Sequence, residues 1–358
     1  MTKKRVTIVD VANRSGVSRQ TVSRVLNNSL NVSEKTRNAV LKAIEELNYM
    51  PDPLARNLVT RRTHIIGVIT IDFRSMHSQI LEGAEVFARE NGYQLFISGC
   101  EHTTFGEPLY SPLFTRQRIE GMIIVYQGSH QDTHQILLEL PRDIPIVTTG
   151  YGAGEKNVIP IRIENRKSAE RATEHLINMG HTKIAHILGP TTNYDSEYRF
   201  QGYKDALQTA GIALDESLIV SGDWQINSGY EAALELLRRG TKFSAVFAHS
   251  DWMAIGAMRA LKDRGHRVPE DVAVIGFNDN DPARFIEPPL TTIKYPGYAL
   301  GRVCIQTLID SIRGNMDHYL TEGVKPLDAE LLVRNSCGAN RYPRVFEDDF
   351  PKERGRFS

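Results

Sequence analysis

The sequence has no run of about 18 consecutive apolar residues, the length that a helix needs to cross a bilayer. Cysteine is scarce: Cys100, Cys304 and Cys337 are the three among 358 residues, and their separation matches no metal or redox motif. Residues 1–16 begin with basic side chains but lack the apolar core of a signal peptide. We therefore expect a cytoplasmic protein that has neither a membrane partner nor a bound metal.

Catalytic motifs are also missing. The sequence contains neither a G-x-S-x-G nucleophile elbow nor a G-x-x-x-x-G-K-[ST] phosphate loop. The segment GYGAG at 150–154 resembles part of a dinucleotide fingerprint, but Glu155 stands where the third glycine belongs. His175, His181 and His186 do not have the spacing of zinc ligands. The sequence thus predicts no catalytic residues, no cofactor and no enzyme.

The net charge of zero hides an uneven distribution along the chain. Residues 1–62 hold 12 Lys and Arg against 5 Asp and Glu, whereas the remainder holds 31 against 38. A basic head on an acidic body indicates that only the head binds a polyanion such as nucleic acid. A chance fluctuation of solvated surface charge is the alternative, and charge by itself does not decide between them.

The head predicts three short helices. Each begins at a hydroxyl side chain that can cap its N-terminus: Thr7, Ser18 and Ser33. In the second helix the apolar residues repeat at the spacing of one buried face: Val22, Val25 and Leu26. The tight turn at 15–17 joins the first two helices as in a helix-turn-helix, whose second helix lies in the major groove of DNA.

The polar face of the second helix has the side chains that DNA recognition uses. Arg pairs with guanine, Gln pairs with adenine, and Ser and Thr contact phosphates. The polar residues that we assign to DNA contact in the head are Thr7, Ser18, Arg19, Gln20, Thr21, Ser23, Arg24 and Asn27. A plain amphipathic helix with a solvated polar face is the alternative, but the turn, the charge and the side-chain chemistry together favour DNA binding.

The run VTIVDVANRSGVSRQTVSRVLNNSLNVSEKTRNAVLKAIEELNYMPDPLARNLVTRRTHIIGVI closely resembles the N-terminal region of the lactose-repressor/galactose-repressor (LacI/GalR) family of bacterial transcription factors. In that family the segment matching 51–62 is a hinge helix, and two hinge helices of a dimer insert a leucine into the minor groove. The resemblance implies that Leu58 is this wedge, with Ala55 and Arg56 beside it. The alternative is that Leu58 is a linker residue that packs on the body, an interpretation that the family resemblance makes the weaker one.

The body alternates strand and helix patterns, which is typical of parallel α/β sheets. The predicted strands are 65–71, 94–98, 121–126 and 144–149, followed by 183–189, 217–222, 244–251 and 272–279. The predicted helices are 78–91, 168–179, 198–210, 228–239 and 253–264. A glycine directly follows each of them, as is common at the C-terminal end of a helix. Two such halves predict two sheets with a ligand cleft at the carboxyl ends of the strands.

The family resemblance extends to about residue 336, most specifically in GHTKIAHILGP, RFQGYKDAL, SDWMAIGAMRALKDRGHRVPEDVAVIGFND and EPPLTTIKYP. It implies an α/β body of the type I periplasmic-binding-protein fold behind an all-α helix-turn-helix head and hinge helix. The expected domains are 1–50 for DNA binding, 51–62 for the hinge and linker, 63–340 for effector binding and dimerisation, and 341–358 for a polar tail. The expected subdomains are 63–162 plus 294–325 and 163–293 plus 326–340.

The resemblance also implies a small-molecule effector pocket. Arg199 matches the family arginine that holds ligand hydroxyls, and Trp224 matches a residue that packs on the ligand. The other matched pocket positions are Asn165, Asp195, Ser250, Trp252 and Asn278, with Phe73, Met76 and His77 as less specific lining. Read without the family, Arg199 and Asn278 fit a helix surface and a turn, and the two tryptophans fit a core.

Three of these positions depart from the family pattern. The family commonly has Asp, Asn and Asp where this sequence has Asn165, Ser250 and Asn278. An amide both donates and accepts hydrogen bonds, whereas a carboxylate only accepts them. The ligand should therefore differ in hydrogen bonding from the well-known family sugars, and the lack of a basic cluster for a phosphate favours a neutral sugar.

The sequence thus predicts a DNA-binding transcription regulator, which we expect to be a repressor. It should bind double-stranded operator DNA of pseudopalindromic sequence as a homodimer, because the tail lacks the heptads of a tetramer helix. A small-molecule effector, expected to be a sugar, should control the affinity. Two alternatives stay open: a regulator of the same fold with a purine or another metabolite as corepressor, and a sugar-binding transport protein, which the basic head and missing signal peptide disfavour.

Overall fold

The computed structural model describes residues 6–26, 31–49, 62–70, 76–99, 119–125, 137, 141–150 and 156–339. The chain divides into two units, the head at 1–63 and the body at 64–358. Five predicted site residues lie outside the described residues: Asn27, Ala55, Arg56, Leu58 and Phe73. The predicted hinge up to residue 61 and the tail from 341 onward lie outside them too.

The head contains three helices within the described residues, α1 (Ile8–Ser15), α2 (Arg19–Leu26) and α3 (Glu34–Glu46). The predicted caps are confirmed. The Thr7 N–H donates to Asp10 Oδ2 at 2.8 Å, the Ser18 hydroxyl accepts from the Thr21 N–H at 3.1 Å, and Ser33 accepts from Thr36 at 3.3 Å. These bonds satisfy backbone donors that a helix N-terminus otherwise leaves without partners.

The three helices pack around one small apolar cluster. Its buried members are Val11, Ala12, Val22, Val25, Val40 and Ala43. Leu26, which the helix pattern also predicts as buried, is half-buried and packs against the edge of the cluster. The stripe that anchors α2 therefore consists mainly of two valines, and the opposite side of α2 is left for polar side chains.

The body elements follow in chain order. They are β1 (Ile65–Thr70), α4 (Met76–Glu90), β2 (Gln94–Gly99), β3 (Gly121–Val125), β4 (Ile146–Thr148), β5 (Val158–Pro160), α5 (Asn165–Asn178), β6 (Ile184–Leu188), α6 (Tyr194–Thr209), β7 (Ile219–Ser221), α7 (Ile226–Arg238), β8 (Ala245–Ala248), α8 (Asp251–Asp263), β9 (Ala273–Asn278), β10 (Thr291–Lys294), α9 (Gly297–Asp310), α10 (Met316–Glu322) and β11 (Glu330–Leu332).

The strands form two sheets. In the part of the body that the structure describes, the first sheet has the order β2-β1-β3-β4-β5 and is parallel throughout. The second has the order β11-β10-β9-β8-β6-β7 and is parallel except for β11, which runs antiparallel to β10. We call β1–β5 with α4, α9 and α10 the first lobe, and α5–α8 with β6–β11 the second lobe. The predicted fold class is confirmed.

The periodic predictions in the body are confirmed with end shifts of up to four residues, the largest at the start of α6. Five described elements were not predicted: β5, β10, β11, α9 and α10. The three strands are too short to show alternation over several residues. Helix α9 does carry a helical pattern, because its buried residues Leu300, Cys304 and Leu308 recur every four positions on one face.

The chain crosses between the lobes in three segments, at 161–164, 295–296 and 323–329. The first and third crossovers pair with each other through a bridge between Ile163 and Leu327. The Glu164 N–H donates to the Leu327 carbonyl, and the Leu327 N–H donates to the Arg162 carbonyl, both at 2.9 Å. Because the crossovers are hydrogen-bonded together, they form one structural element that any movement of the lobes must bend.

Helices α5 and α6 of the second lobe pack with their backbones in close contact. Gly202 of α6 makes this possible, because a Cβ atom there would overlap the carbonyl oxygen of Arg166 on α5. The same close approach brings Asn165, at the start of α5, within hydrogen-bond distance of Arg199 on α6.

Replacing Gly202 with alanine is expected to lower the free energy of unfolding by about 1–3 kcal/mol, the usual cost of overpacking. The direction of the change distinguishes the two effects. Helix propensity alone would make the alanine variant more stable than the glycine protein by about 1 kcal/mol, whereas overpacking makes it less stable. Chemical denaturation measures the change, with Gln208→Ala at an exposed position of α6 as the control. A stabilised Gly202→Ala variant would contradict the close contact.

Candidate functional site

The polar side of α2 is accessible in the head. Arg19, Gln20 and Arg24 are exposed, and Thr21 and Ser23 are half-buried. These side chains lie on a helix whose other side is held by buried Val22 and Val25. Arg and Gln side chains on such a helix can reach base edges, and hydroxyls can reach phosphates.

Two of the predicted DNA-contacting residues also serve the head itself. The Ser18 hydroxyl lies 3.0 Å from the Thr21 hydroxyl and accepts the Thr21 N–H, so it caps α2. Thr7 forms the capping box of α1 with Asp10. Both caps are exposed, so their hydroxyls remain accessible to a phosphate oxygen while they hold the helix ends.

In the body, three predicted pocket residues form a single hydrogen-bonded group. Arg199 Nε donates to Asn165 Oδ1 at 2.8 Å, and Asn165 Nδ2 donates to Asp195 Oδ1 at 2.9 Å. These distances fix the Asn165 amide orientation, because its oxygen faces a donor and its nitrogen faces a carboxylate. The amide at 165 thus bridges a cation and an anion, which a carboxylate at this position could not do.

Arg199 is the largest polar side chain in this group and is only 1% exposed. Its guanidinium lies over the Phe277 ring at 3.7 Å from the centroid and 5.5 Å from that of Trp224. Nη1 donates to the His249 carbonyl at 2.5 Å. Nη2 makes no hydrogen bond within the described residues and lies 3.9 Å from Asp195 Oδ2. One buried donor is therefore left for a ligand oxygen.

Burial acts on both charges of the group. It lowers the pKa of Arg199, an effect that the nearby Asp195 carboxylate opposes. It raises the pKa of Asp195, and the guanidinium together with the Asn165 amide opposes that change. The Arg199 and Asp195 charges therefore stabilise each other. Removing either side chain would leave the other charge buried without an opposite charge beside it.

Trp224 has a left-handed backbone, with φ of 75°, which is rare for a bulky side chain. Its ring packs directly on Gly189, where a Cβ atom would overlap it. Its carbonyl accepts the Ser250 hydroxyl at 3.3 Å, and Ser250 in turn caps α8 by accepting the Met253 N–H at 3.1 Å. Trp252 follows in the first turn of α8 and is half-buried.

Asn278 ends β9 and has a φ of 112°. It is 4% exposed, and its Oδ1 has no hydrogen-bond donor within the described residues. Its carbonyl accepts the Tyr295 N–H at 3.2 Å, which links it to the second crossover. The strained backbone and the unused acceptor together mark Asn278 as a residue with a role beyond packing.

A cavity of about 190 Å³ lies against the crossovers. Asn165 and Asp195 line it, together with Tyr198, Tyr295 and residues 161–166. Five predicted pocket residues do not line this cavity: Arg199, Trp224, Ser250, Trp252 and Asn278. Met76 and His77 lie at the start of α4 in the first lobe, where His77 is buried.

Two buried histidines were not predicted for the site. His249 lies beside Arg199, and its Nε2 is 2.9 Å from His186 Nε2. Its Nδ1 accepts the Gly189 N–H at 3.1 Å, so the proton of neutral His249 must be on Nε2 and point at His186. The sequence signal was weak: His186 stands in the otherwise apolar strand β6, and His249 directly follows the apolar strand β8.

Burial lowers the pKa of His186 to about 3 and that of His249 well below its ordinary value. His186 stacks on the Tyr203 ring with 4.0 Å between centroids. Both imidazoles are therefore neutral at physiological pH, and they connect β6 to His249, whose backbone carbonyl accepts from Arg199.

The described residues contain no group of three or more His, Cys, Asp or Glu that is arranged to hold a metal ion. They also contain no helix with the length and apolar character needed to span a bilayer.

Comparisons with known proteins cover nearly the whole chain. Residues 7–52 match the family of bacterial regulatory proteins, lacI family, and residues 173–337 match the periplasmic binding protein-like domain. The chain is 36% identical over 334 residues to the HTH-type transcriptional repressor CytR of Escherichia coli (strain K12), covering 93% of this chain and 96% of CytR. It is 38% identical over 347 residues to the HTH-type transcriptional regulator CelR of Thermobifida fusca, covering 93% and 99%.

Solved structures agree with these relatives. The complex of the transcriptional regulator CelR with cellobiose matches with a TM-score of 0.67 and 34% identity over 93% of this chain and 100% of that one. The lac repressor dimer bound to operator and the anti-inducer ONPF matches with a TM-score of 0.80 and 30% identity over 93% and 99%.

Replacing His186 with phenylalanine is expected to make stability less sensitive to acid. In the native protein the folded state binds fewer protons than the unfolded state between about pH 3 and 6.5, so stability falls as the pH drops through this window. From pH 7 to 5 the free energy of unfolding should fall by about 2 kcal/mol less in the variant. Urea denaturation at several pH values measures the slope, and His318→Phe controls for the loss of an exposed histidine. Equal slopes in His186→Phe and wild type would contradict the neutral buried pair.

Proposed function

This chain belongs to the lacI family of bacterial regulatory proteins, and from that premise we propose that it is a repressor whose operator affinity is controlled by a neutral sugar. The protein is a DNA-binding transcription regulator under ligand control. One observation carries the proposal: a head with an exposed Arg and Gln face on α2 is joined to a two-lobed body with a cavity at its crossovers that Asn165 and Asp195 line.

In this proposal two heads of a homodimer bind the half-sites of a pseudopalindromic operator. Arg19, Gln20 and Arg24 contact base edges or phosphates. Ala55, Arg56 and Leu58 belong to paired hinge helices at the operator centre, where Leu58 opens a base step. The relative described as a lac repressor dimer bound to operator supports this arrangement.

The effector occupies the cleft between the lobes. Arg199 Nη2 donates to a ligand hydroxyl, and the Asp195 carboxylate and Asn278 Oδ1 accept from ligand hydroxyls. Trp224 offers a flat apolar face of the kind that packs on a sugar ring. Donors and acceptors that alternate in this way suit a polyol better than an anion, and the relative solved with cellobiose supports a sugar.

Ligand binding acts on DNA through linked equilibria. A ligand that binds one arrangement of the lobes better than the other shifts the population, and the crossovers must bend with that shift. The change alters how the two hinge segments pair and hence operator affinity. An inducer and a corepressor use the same linkage with opposite sign.

Replacing Gln20 with alanine is expected to weaken operator binding by about 1–3 kcal/mol, because a bidentate contact to a base is lost. The operator is first selected from a random duplex pool with the wild-type protein, and gel shifts then measure affinity. Leu58→Gly should also weaken binding, since it removes the wedge. Gln208→Ala makes the same change as Gln20→Ala at an exposed position of the body and should bind normally. Unchanged affinity in both head and hinge variants would overturn the mechanism.

Replacing Arg199 with lysine is expected to weaken effector binding at least ten-fold. A lysine is a point charge and does not reproduce the planar fork that contacts Asn165, the His249 carbonyl and the ligand. The chain has two tryptophans, Trp224 and Trp252, so intrinsic fluorescence reports binding from a panel of mono- and oligosaccharides and nucleosides.

The matched control is Arg259→Lys, which makes the same change at an exposed position of α8. It should leave the titration unchanged. A wild-type protein that ignores every sugar but responds to a purine would replace the proposed ligand with the purine alternative. Equal affinities of Arg199→Lys and wild type for the active compound would remove Arg199 from the site.

A further inference from the structure

The second lobe contains a polar cluster that the effector proposal does not use. It lies where β8 ends, where β9 ends and where β10 runs toward the second crossover. Its centre is Asp251, the first residue of α8, which is fully buried. Gly276 of β9 leaves the space for it, because a Cβ atom there would overlap the Asp251 carboxylate.

The carboxylate of Asp251 holds two separate segments. Its Oδ1 accepts the Thr292 hydroxyl of β10 at 2.5 Å. Its Oδ2 accepts the backbone N–H of Asn280, two residues beyond the end of β9, at 2.6 Å. A carboxylate can accept both bonds, whereas an amide or a protonated acid directs a donor at one of these groups.

A second charged group, formed by Asp279, Arg284 and Arg334, lies next to Asp251. Asp279 Oδ1 accepts Arg334 Nη2 at 2.6 Å, and its Oδ2 accepts Arg284 Nη2 at 3.3 Å. Arg334 also donates to the Leu290 carbonyl at 3.0 Å, just before β10. The turn at 278–280 is thus held from both sides by buried, charge-assisted hydrogen bonds, which are stronger than neutral ones.

The turn that is held in this way leads to the effector site and to the crossover. Phe277, immediately before it, carries the guanidinium of Arg199 on its ring. Asn278 itself accepts the N–H of Tyr295, which stands in the second crossover. Asn278 and Asp279 have φ values of 112° and 56°, conformations that persist only where the surroundings impose them.

We propose that Asp251 is a positioning residue that couples the effector site to the second crossover. It holds the 278–280 turn against β10, so that Asn278, the Phe277–Arg199 contact and Tyr295 move as one unit. The role of the turn in ligand binding rests on the proposed function, but the coupling from Asp251 to Tyr295 does not. Asp251 touches no ligand in this scheme and acts through the turn.

A purely structural role makes a different prediction. If Asp251 only stabilised the lobe, its loss would weaken every element of the second sheet together. If it positions the turn, the loss is confined to the turn and to Tyr295. The backbone at Asn280 allows a sharp test, because its φ of −64° is the value that proline adopts. Asn280→Pro therefore removes the N–H that Asp251 accepts, and Asn280→Ala removes only the side chain.

Hydrogen exchange read by mass spectrometry on the full-length protein tests the proposal. We expect Asp251→Asn to speed exchange of the Asn280 and Tyr295 amides at least ten-fold, while the amides of β6 stay protected. Asn280→Pro should speed exchange of the Tyr295 amide in the same way, and Asn280→Ala should leave that exchange unchanged. Asp263→Asn, at a partly exposed position of α8 where the carboxylate pairs with Arg259, is the matched control and should exchange like wild type. The measurement belongs at pH 8, since burial raises the pKa of Asp251 to about 7 against the opposing hydrogen bonds.

Cellobiose titration of tryptophan fluorescence adds the functional readout. If the wild type binds cellobiose, Asp251→Asn and Asn280→Pro should weaken it at least ten-fold and Asn280→Ala much less. If no sugar binds the wild type, the proposed ligand class is wrong, and the exchange data still decide the coupling. Unchanged Tyr295 protection in Asp251→Asn and Asn280→Pro would overturn the inference, as would equal loss of protection in β6.

Discussion

A guanidinium that is almost completely buried must find its acceptors inside the protein, and those of Arg199 come from different elements. Asn165 at the start of α5 and the His249 carbonyl, directly after β8, accept hydrogen bonds from it, and the Asp195 carboxylate one turn earlier on α6 pairs with its charge. The stability of the second lobe therefore depends on all three groups holding their places, because an uncompensated buried charge is far costlier than a lost hydrogen bond. The arrangement of the second lobe around the cleft follows from this requirement.

The same requirement connects the site to the crossovers. Asn165 is the first residue of α5 and directly follows the first crossover, so the acceptor of Arg199 is attached to the segment that must bend when the lobes move. Phe277, which supports the guanidinium from below, is followed at once by the turn that Asp251 holds. A ligand that changes the surroundings of Arg199 therefore acts on two of the three crossovers without a long chain of contacts.

Much of this could be predicted from the sequence, and the reasons differ by region. The caps Thr7, Ser18 and Ser33 and the alternation of apolar strands with glycine-terminated helices are local signals, and the structure confirms them. The short strand β11 carries no such signal, because its three residues pair only after the chain has returned from the other lobe.

The site was predictable only in part, since spacing along the chain does not encode which strand ends meet. Asn165, Asp195 and Arg199 do form one group, as the family resemblance implied, but their assignment to an effector stays a proposal. His186, His249 and Asp251 had no distinguishing pattern. Their importance comes from burial and from partners contributed by other strands and helices, which only the fold reveals.

The three crossovers also bear on how such a protein can be reassembled by recombination. The head occupies one continuous segment at the start of the chain, so a single exchange near residue 63 replaces it whole. The first lobe is instead made of two stretches separated by more than a hundred residues of the second lobe, whose last strand follows both. A single recombination event inside the body therefore gives at least one lobe that combines segments from two different parent proteins. Heads can be shuffled between relatives in one event, whereas the two lobes, with the ligand site between them, are inherited together.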